Sequence, residues 1–215
     1  MTPLHAPVLV AETLAQLDPS RGGLFVDCTV GLGGHSRALL EHGAARILGL
    51  DRDADALAHA ANALAAFGDR VELVHADYRD LDRVLDGRGI EHVAGALADL
   101  GVSSMQLGAE GRGFSFQRDE PLDMRMDRSR PPTAADLLAE VDEEELANLI
   151  FQYGEERYSR RIARAIVQAR EASPVTRTGE LARIVRRAIH ADRGRSRSPS
   201  PSATRCSSGS SRPAS

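Results

Sequence analysis

The chain has 215 residues, 42 % of them hydrophobic and 4 % aromatic with no Trp, enough for one sizeable core or one domain carrying a smaller insertion. No apolar run approaches the length of a membrane span and no charged-then-apolar leader opens the chain, so a soluble cytoplasmic protein with no membrane partner is expected. The two cysteines, Cys28 and Cys206, lie too far apart for a disulfide framework or a thiolate zinc site, no other metal-ligand spacing appears, and the net charge is −4.

Val10, Leu14 and Leu17 recur at i, i+4 and i+7, predicting a short helix. Residues 24–28 form a short apolar run ending in a glycine-rich turn, which predicts a first strand with Cys28 as a small core residue. A helix is expected through 36–40, stopping near Gly43, then a second strand over 46–50 ending at Asp51. An alanine-rich helix over 54–67 carries Leu57, Ala61 and Leu64 on one face. Val71–His75 is a third strand and 93–97 a fourth. Strands alternating with helices mean βαβ units, a parallel sheet and helices on both faces.

After Gly101 the pattern changes. Residues 112–127 are irregular, with Pro121, Met124 and Met126. Helices follow over 134–141 after Thr133 and over 143–153, where Asp142 and Glu145 have capping-box spacing. Another spans 159–172 with Ile162, Ile166 and Ala169 inward. Thr178 is expected to cap the last, whose stripe is Leu181, Ile184, Val185 and Ala188. Three segments result: a sheet domain over 1–105, a mostly helical unit over 106–190, and a tail over 191–215. The tail has nine Ser, five Arg and no large aliphatic or aromatic residue, and is expected to be disordered.

In an open parallel sheet, ligands bind beyond the carboxyl ends of the strands. Four features fall there. The turn Gly31-Leu32-Gly33-Gly34-His35 after Asp27 lets backbone approach a ligand closely at a helix start. Asp51, at the end of the second strand, suits paired ribose hydroxyls. Asp77-Tyr78 offers an adenine one polar contact and one ring face. Asp99 to Ser104 follows the fourth strand, where a reacting group would sit. A nicotinamide dinucleotide calls for G-x-G-x-x-G, and the third glycine is here Ser36, so that reading weakens. A nucleoside-type cofactor without a pyrophosphate, such as S-adenosylmethionine, suits the pattern better.

The strings His5-Ala6-Pro7-Val8-Leu9, Gly33-Gly34-His35-Ser36, Leu50-Asp51-Arg52-Asp53 and Asp99-Leu100-Gly101-Val102-Ser103-Ser104 with Gln106-Leu107 resemble the RsmH (MraW) family. So do Arg112-Gly113-Phe114-Ser115-Phe116, Pro121-Leu122-Asp123-Met124-Arg125-Met126-Asp127 and Tyr153-Gly154-Glu155-Glu156-Arg157, and the match covers residues 4–190. The resemblance implies an α/β, Rossmann-like, S-adenosylmethionine-dependent methyltransferase fold with a mostly helical inserted domain. It implies methylation of the exocyclic amine (N4) of a cytidine in small-subunit (16S) ribosomal RNA, with that RNA as partner. Cofactor contacts would then fall on Gly33, Gly34, His35, Asp51, Tyr78, Asp99 and Gln106; the family more often has Phe at the position of Tyr78.

That amine is a poor nucleophile, because its lone pair is delocalised into the ring. Attack on a sulfonium methyl profits from an acceptor that polarises the N–H, and Asp99 is the catalytic candidate. The alternative is that Asp99 only bonds the cofactor or caps the following turn. Phe114 and Phe116 suit stacking on an extruded base, or equally a local core. Residues 154–190 hold nine Arg against four acids, whereas 1–111 hold eight against 16 and 112–153 five against 10. Arg157, Arg160, Arg161 and Arg164 recur at helical spacing, either to follow RNA phosphates or as a solvated face. His35 reads as a helix-start residue rather than a base.

Family members continue with a stretch like H-P-A-T-R and add further strands, whereas this chain has His190-Ala191-Asp192 and then the tail. A frameshift or truncation near 190–195 is the expectation, with an incomplete sheet and a fourth strand left unpaired. A non-catalytic fragment that binds S-adenosylmethionine and RNA is the alternative function. Oligomeric state is not legible.

Overall fold

The computed structural model describes residues 7–190. The expectations about the 191–215 tail and the departure near 190–195 lie outside the described residues, as do His5 and Ala6.

The first half contains α1 (Val10–Leu17), β1 (Leu24–Asp27), α2 (Gly34–Glu41), β2 (Arg46–Asp51), α3 (Ala54–Leu64), β3 (Val71–His75), α4 (Leu81–Asp86) and β4 (Gly95–Leu97). All four strands are parallel, in the order β3-β2-β1-β4. The chain steps outward from β1 through β2 to β3, which puts α2 and α3 on one face. It then returns past β1 to β4, and α4 covers the other face. Alternation along the strands separates two cores: Phe25 and Ile47 pack with Leu39, Leu40, Ala60 and Leu64, while Val26, Cys28, Leu48 and Leu50 pack with Val84. Cys28 is thus the core residue expected of it.

Several elements differ from expectation. The helix begun at Ala54 ends at Leu64 and tightens into a 3₁₀ stretch, Ala65–Arg70, because Gly68 leaves helical space at φ 54°, ψ −132°. The fourth strand is only three residues long; among the described residues its outer edge has no strand partner. Helix α4 was not expected, since six residues are too few to display a period.

The second half contains α5 (Ser104–Gly108), α6 (Ala134–Glu140), α7 (Glu143–Gly154), α8 (Ser159–Ala172) and α9 (Thr178–His190). Thr133 and Asp136 form a capping box on α6, and Asp142 caps α7 through the Glu145 amide. These helices enclose their own core of Leu122, Leu138, Val141, Leu146, Ile162, Ile166 and Val175. No described helix is long and apolar enough to cross a membrane.

Thr178 corrects its expectation: it is the first residue of α9 rather than the residue before it. Its Oγ1 accepts from the Glu120 amide at 3.0 Å and donates to the Arg118 carbonyl at 2.7 Å, tying α9 to the irregular segment. That segment doubles back tightly at Gly113, which adopts φ +73°; a Cβ there would lie 2.6 Å from the Pro121 carbonyl oxygen and 2.8 Å from the Asp123 nitrogen. Gly113→Ala is therefore expected to destabilise the protein by about 2–4 kcal/mol, through strain plus backbone collision. Urea unfolding followed by circular dichroism measures it.

Candidate active site

The order β3-β2-β1-β4 places the topological switch between β1 and β4, and the crevice beyond their carboxyl ends collects the loops that follow β1, β2 and β4. Their mutual bonds define it. Asp51, at the end of β2, accepts from the Gly31 amide through Oδ2 and from the Asp53 amide through Oδ1, each at 2.9 Å. Each oxygen keeps a second lone pair, so the carboxylate can still accept from a pair of vicinal hydroxyls. Burial raises the Asp51 carboxyl above its ordinary value, against the lowering effect of those two amides.

Gly31 takes φ +53°, and among the described residues a Cβ there would meet only the Thr29 carbonyl at 3.8 Å, an ordinary contact. Gly33 and Gly34 have packing reasons of their own. A Cβ on Gly33 would press on Leu64 at 3.1 Å, and one on Gly34 would strike Pro7 at 2.8 Å. His35, in the first turn of α2, donates from Nε2 to the Val8 carbonyl at 2.9 Å and so pins the N-terminal segment. Asp27 is fully buried under the loop, accepting from the Ser36 hydroxyl at 2.7 Å and the Thr29 amide at 3.2 Å.

On the other side of the switch point, the Asp99 amide donates to Thr29 Oγ1 at 2.7 Å, which locks the loop after β4 to the loop after β1. Asp99 is exposed, and among the described residues its carboxylate has no hydrogen-bond or ion-pair partner. Tyr78 begins a short 3₁₀ turn after β3 and is 43 % exposed. Asp77 before it is occupied: Arg79 hydrogen-bonds it at 3.0 and 2.8 Å and holds its carboxyl down at about 2.

Gln106 is buried and bonded at both ends of its amide. Oε1 accepts from the Ser103 amide at 2.9 Å, completing a capping box on α5, while Nε2 donates to Asp53 Oδ2 at 2.9 Å. Asp53 also receives Arg112, with Nη2 at 2.7 Å and Nη1 at 3.3 Å. Arg112 is 3 % exposed and bonds Asp55 and the carbonyls of Arg125 and Met126 as well. Burial would raise the Asp53 carboxyl, but Arg112 and Gln106 outweigh it and leave the group below its ordinary value. Asp53 and Arg112 were not legible in the sequence as a pair. They are 59 residues apart, and no local period connects them.

Phe114 is half-buried and Phe116 is 68 % exposed, outside every hydrophobic cluster. The four arginines lie at or near α8, which packs on α6, α7 and α9 rather than on the strand ends. Arg157 and Arg161 lie over the Tyr158 ring at 4.7 and 5.5 Å, Arg164 pairs with Glu143 at 3.2 Å, and Arg160 is exposed.

Two outcomes are expected. Arg112→Met leaves Asp53 buried without its cation and should cost about 3–5 kcal/mol, much of it recovered by adding Asp53→Leu, as a double-mutant unfolding cycle will show. Burial is the main cause that raises Asp27 from 3.8 to about 6, so folding favours its protonated form. The contribution of this group is full below about pH 4 and is lost as pH rises through about 6, a fall of about 3 kcal/mol. Asp27→Asn should flatten that part of the stability–pH curve, read by thermal unfolding at each pH.

A family model described as the MraW methylase family matches residues 2–205. Among curated relatives, the chain is 52 % identical over 191 residues to the ribosomal RNA small subunit methyltransferase H of Parafrankia sp. (strain EAN1pec), covering 87 % of this chain and 58 % of that protein. It is 49 % identical to the protein of the same name from Carboxydothermus hydrogenoformans, over 91 % of this chain and 63 % of the relative. For the Thermobifida fusca protein of that name the identity is 50 %, over 90 % and 60 %. The chain thus spans about three-fifths of the length of these relatives.

Proposed function

We propose, from the premise that the chain belongs to the MraW methylase family, that it binds S-adenosylmethionine at the β1–β4 switch point and methylates small-subunit ribosomal RNA. The observation that carries this reading is the set of carboxylates around the crevice. Asp53 and Asp77 are neutralised by arginines, whereas Asp51 and Asp99 have no ion-pair partner among the described residues. Acids left without a cation at Asp51 and Asp99 suit a cationic cofactor without phosphates. S-adenosylmethionine supplies, when bound, a methyl group on an electrophilic sulfonium.

Within this reading Asp51 holds the ribose hydroxyls with its remaining lone pairs, and the backbone of Gly33 and Gly34 lines the loop beside it. His35 fixes the start of α2. Tyr78 lays its exposed ring along the adenine. Gln106 retains one Nε2 hydrogen for the cofactor while its other bonds hold α5 against Asp53. Residues 106–190 act as the RNA-recognition unit, where Phe116, together with the half-buried Phe114, meets an unstacked base. Arg157, Arg160, Arg161 and Arg164 follow the phosphates.

The target atom is the N4 amine of a cytidine. Asp99, with its backbone fixed by Thr29 and its carboxylate without a partner among the described residues, accepts the N–H as the carbon–nitrogen bond forms. The helical unit and the strand ends then have separate tasks, one holding RNA and the other orienting the reacting groups.

Calorimetric titration with S-adenosylmethionine, paired with transfer of labelled methyl to small ribosomal subunits, tests the reading. Binding and labelling at cytidine N4, located by mass spectrometry, are expected; binding without labelling would favour a non-catalytic cofactor- and RNA-binding chain. Asp99→Asn should lower turnover by about 10²–10⁴-fold with cofactor affinity unchanged. If that variant instead fails to bind the cofactor, the catalytic role of Asp99 falls.

A further inference from the structure

Beyond the carboxyl ends of β2 and β3, the 124–132 segment of the helical unit closes over a cleft of about 420 Å³. Four arginines (Arg52, Arg79, Arg125, Arg130) line it against two aspartates, Asp77 and Asp127. Each aspartate is shared. Asp77 takes both bonds from Arg79 and also faces Arg52 at 3.6 Å. Asp127 lies 3.4 Å from Arg130 and 3.8 Å from His75 Nε2. Directly behind, Asp123 holds Arg125 at 2.8 and 2.7 Å, with Arg128 at 4.0 Å. The lining therefore carries more positive than negative charge even with His75 neutral. Arg52 rests its guanidinium on the Met126 sulfur, at 3.1 and 2.7 Å, a weak and uncharged acceptor, and the carboxylate it faces, Asp77, is already bonded by Arg79.

The cleft also has an apolar lining. It comprises Met124, Met126, Pro131, Pro132 and Ala76. Met124 is held at φ 58°, a left-handed conformation that non-glycine residues rarely adopt and that recurs at ligand clamps. Its side chain is exposed at the cleft. Cations that can fork onto an anion, together with apolar side chains around a space of this size, match a nucleotide: phosphate on the arginines, base on the apolar lining. Gly31, Asp51, Tyr78 and Asp99 do not line this space, which lies beside the crevice assigned above to the cofactor and meets it at Asp77.

We propose that this cleft is a subsite for one nucleotide of a single-stranded RNA, with its phosphate on Arg52, Arg79 and Arg130 and its base against Met124, Met126 and the two prolines. The proposal rests on the reading of the chain as an RNA-modifying protein and adds a place where the strand beside the target is gripped. A base must be unstacked to enter, which selects single strands over duplex.

The test uses the full chain and a fluorescein-labelled, single-stranded oligoribonucleotide of mixed C and U, followed by anisotropy over a salt series. Arg130→Ala, whose side chain is 81 % exposed, should weaken binding severalfold and reduce the salt slope by about 1, with the melting temperature unchanged. Ser129→Glu, which adds a negative charge at the cleft, should also weaken binding without removing any cation. Wild-type binding with both variants equally tight overturns the cleft and leaves the proposed function standing. Absence of RNA binding by the wild type overturns both. Equal competition by a duplex of the same sequence overturns the single-strand assignment.

Discussion

A guanidinium that is 3 % exposed requires a counter-charge, and Arg112 finds it on Asp53, between β2 and α3. The rest of the arrangement depends on this pair. The Asp53 carboxylate also takes the Gln106 amide, which sets α5, while its backbone amide bonds Asp51, which in turn holds Gly31. Arg112 meanwhile bonds the carbonyls of Arg125 and Met126 and so positions the segment that walls the arginine-lined cleft. A buried ion pair contributes little net stability but penalises every arrangement in which its members are apart, so it specifies how the helical unit meets the sheet.

The acids at the strand ends divide by what they face. Asp53 and Asp77 are drawn below their ordinary range by arginines and serve the architecture. Asp27 and Asp51 are raised by burial, which no arginine hydrogen bond offsets. Chemically identical side chains at similar depth thus acquire separate tasks from whether a guanidinium reaches them.

The distribution of arginine shows the same dependence on folding. Counted along the chain, residues 112–153 are acidic and 154–190 are basic, which directs attention to α8 and α9. In space, Arg52 and Arg79 from the sheet domain join Arg125 and Arg130 from the acidic stretch around one cleft. Their neighbouring acids are shared or turned aside: Asp136 bonds Thr133 and caps α6, and Glu120 accepts from the Gly111 and Gly113 amides. A linear tally of charge cannot register this convergence, because it sums over residues that folding separates.

The alternation of strands and helices, the four parallel strands, the glycine turn and Asp51 at the end of β2 were legible in the sequence. Each follows from a local rule, whether a period of two or of 3.6, a glycine where φ must be positive, or a ligand site at the carboxyl edge of a parallel sheet. Boundaries were less so: α3 ends early at a glycine whose conformation depends on the turn into β3, and α4 is too short to show a period. Tertiary structure alone decided that Gln106 reaches Asp53, that Thr178 bonds the 118–120 segment, and that Arg112 becomes the buried partner of Asp53. Those contacts join residues more than fifty positions apart, and their energy comes from shared burial, which no window of sequence contains.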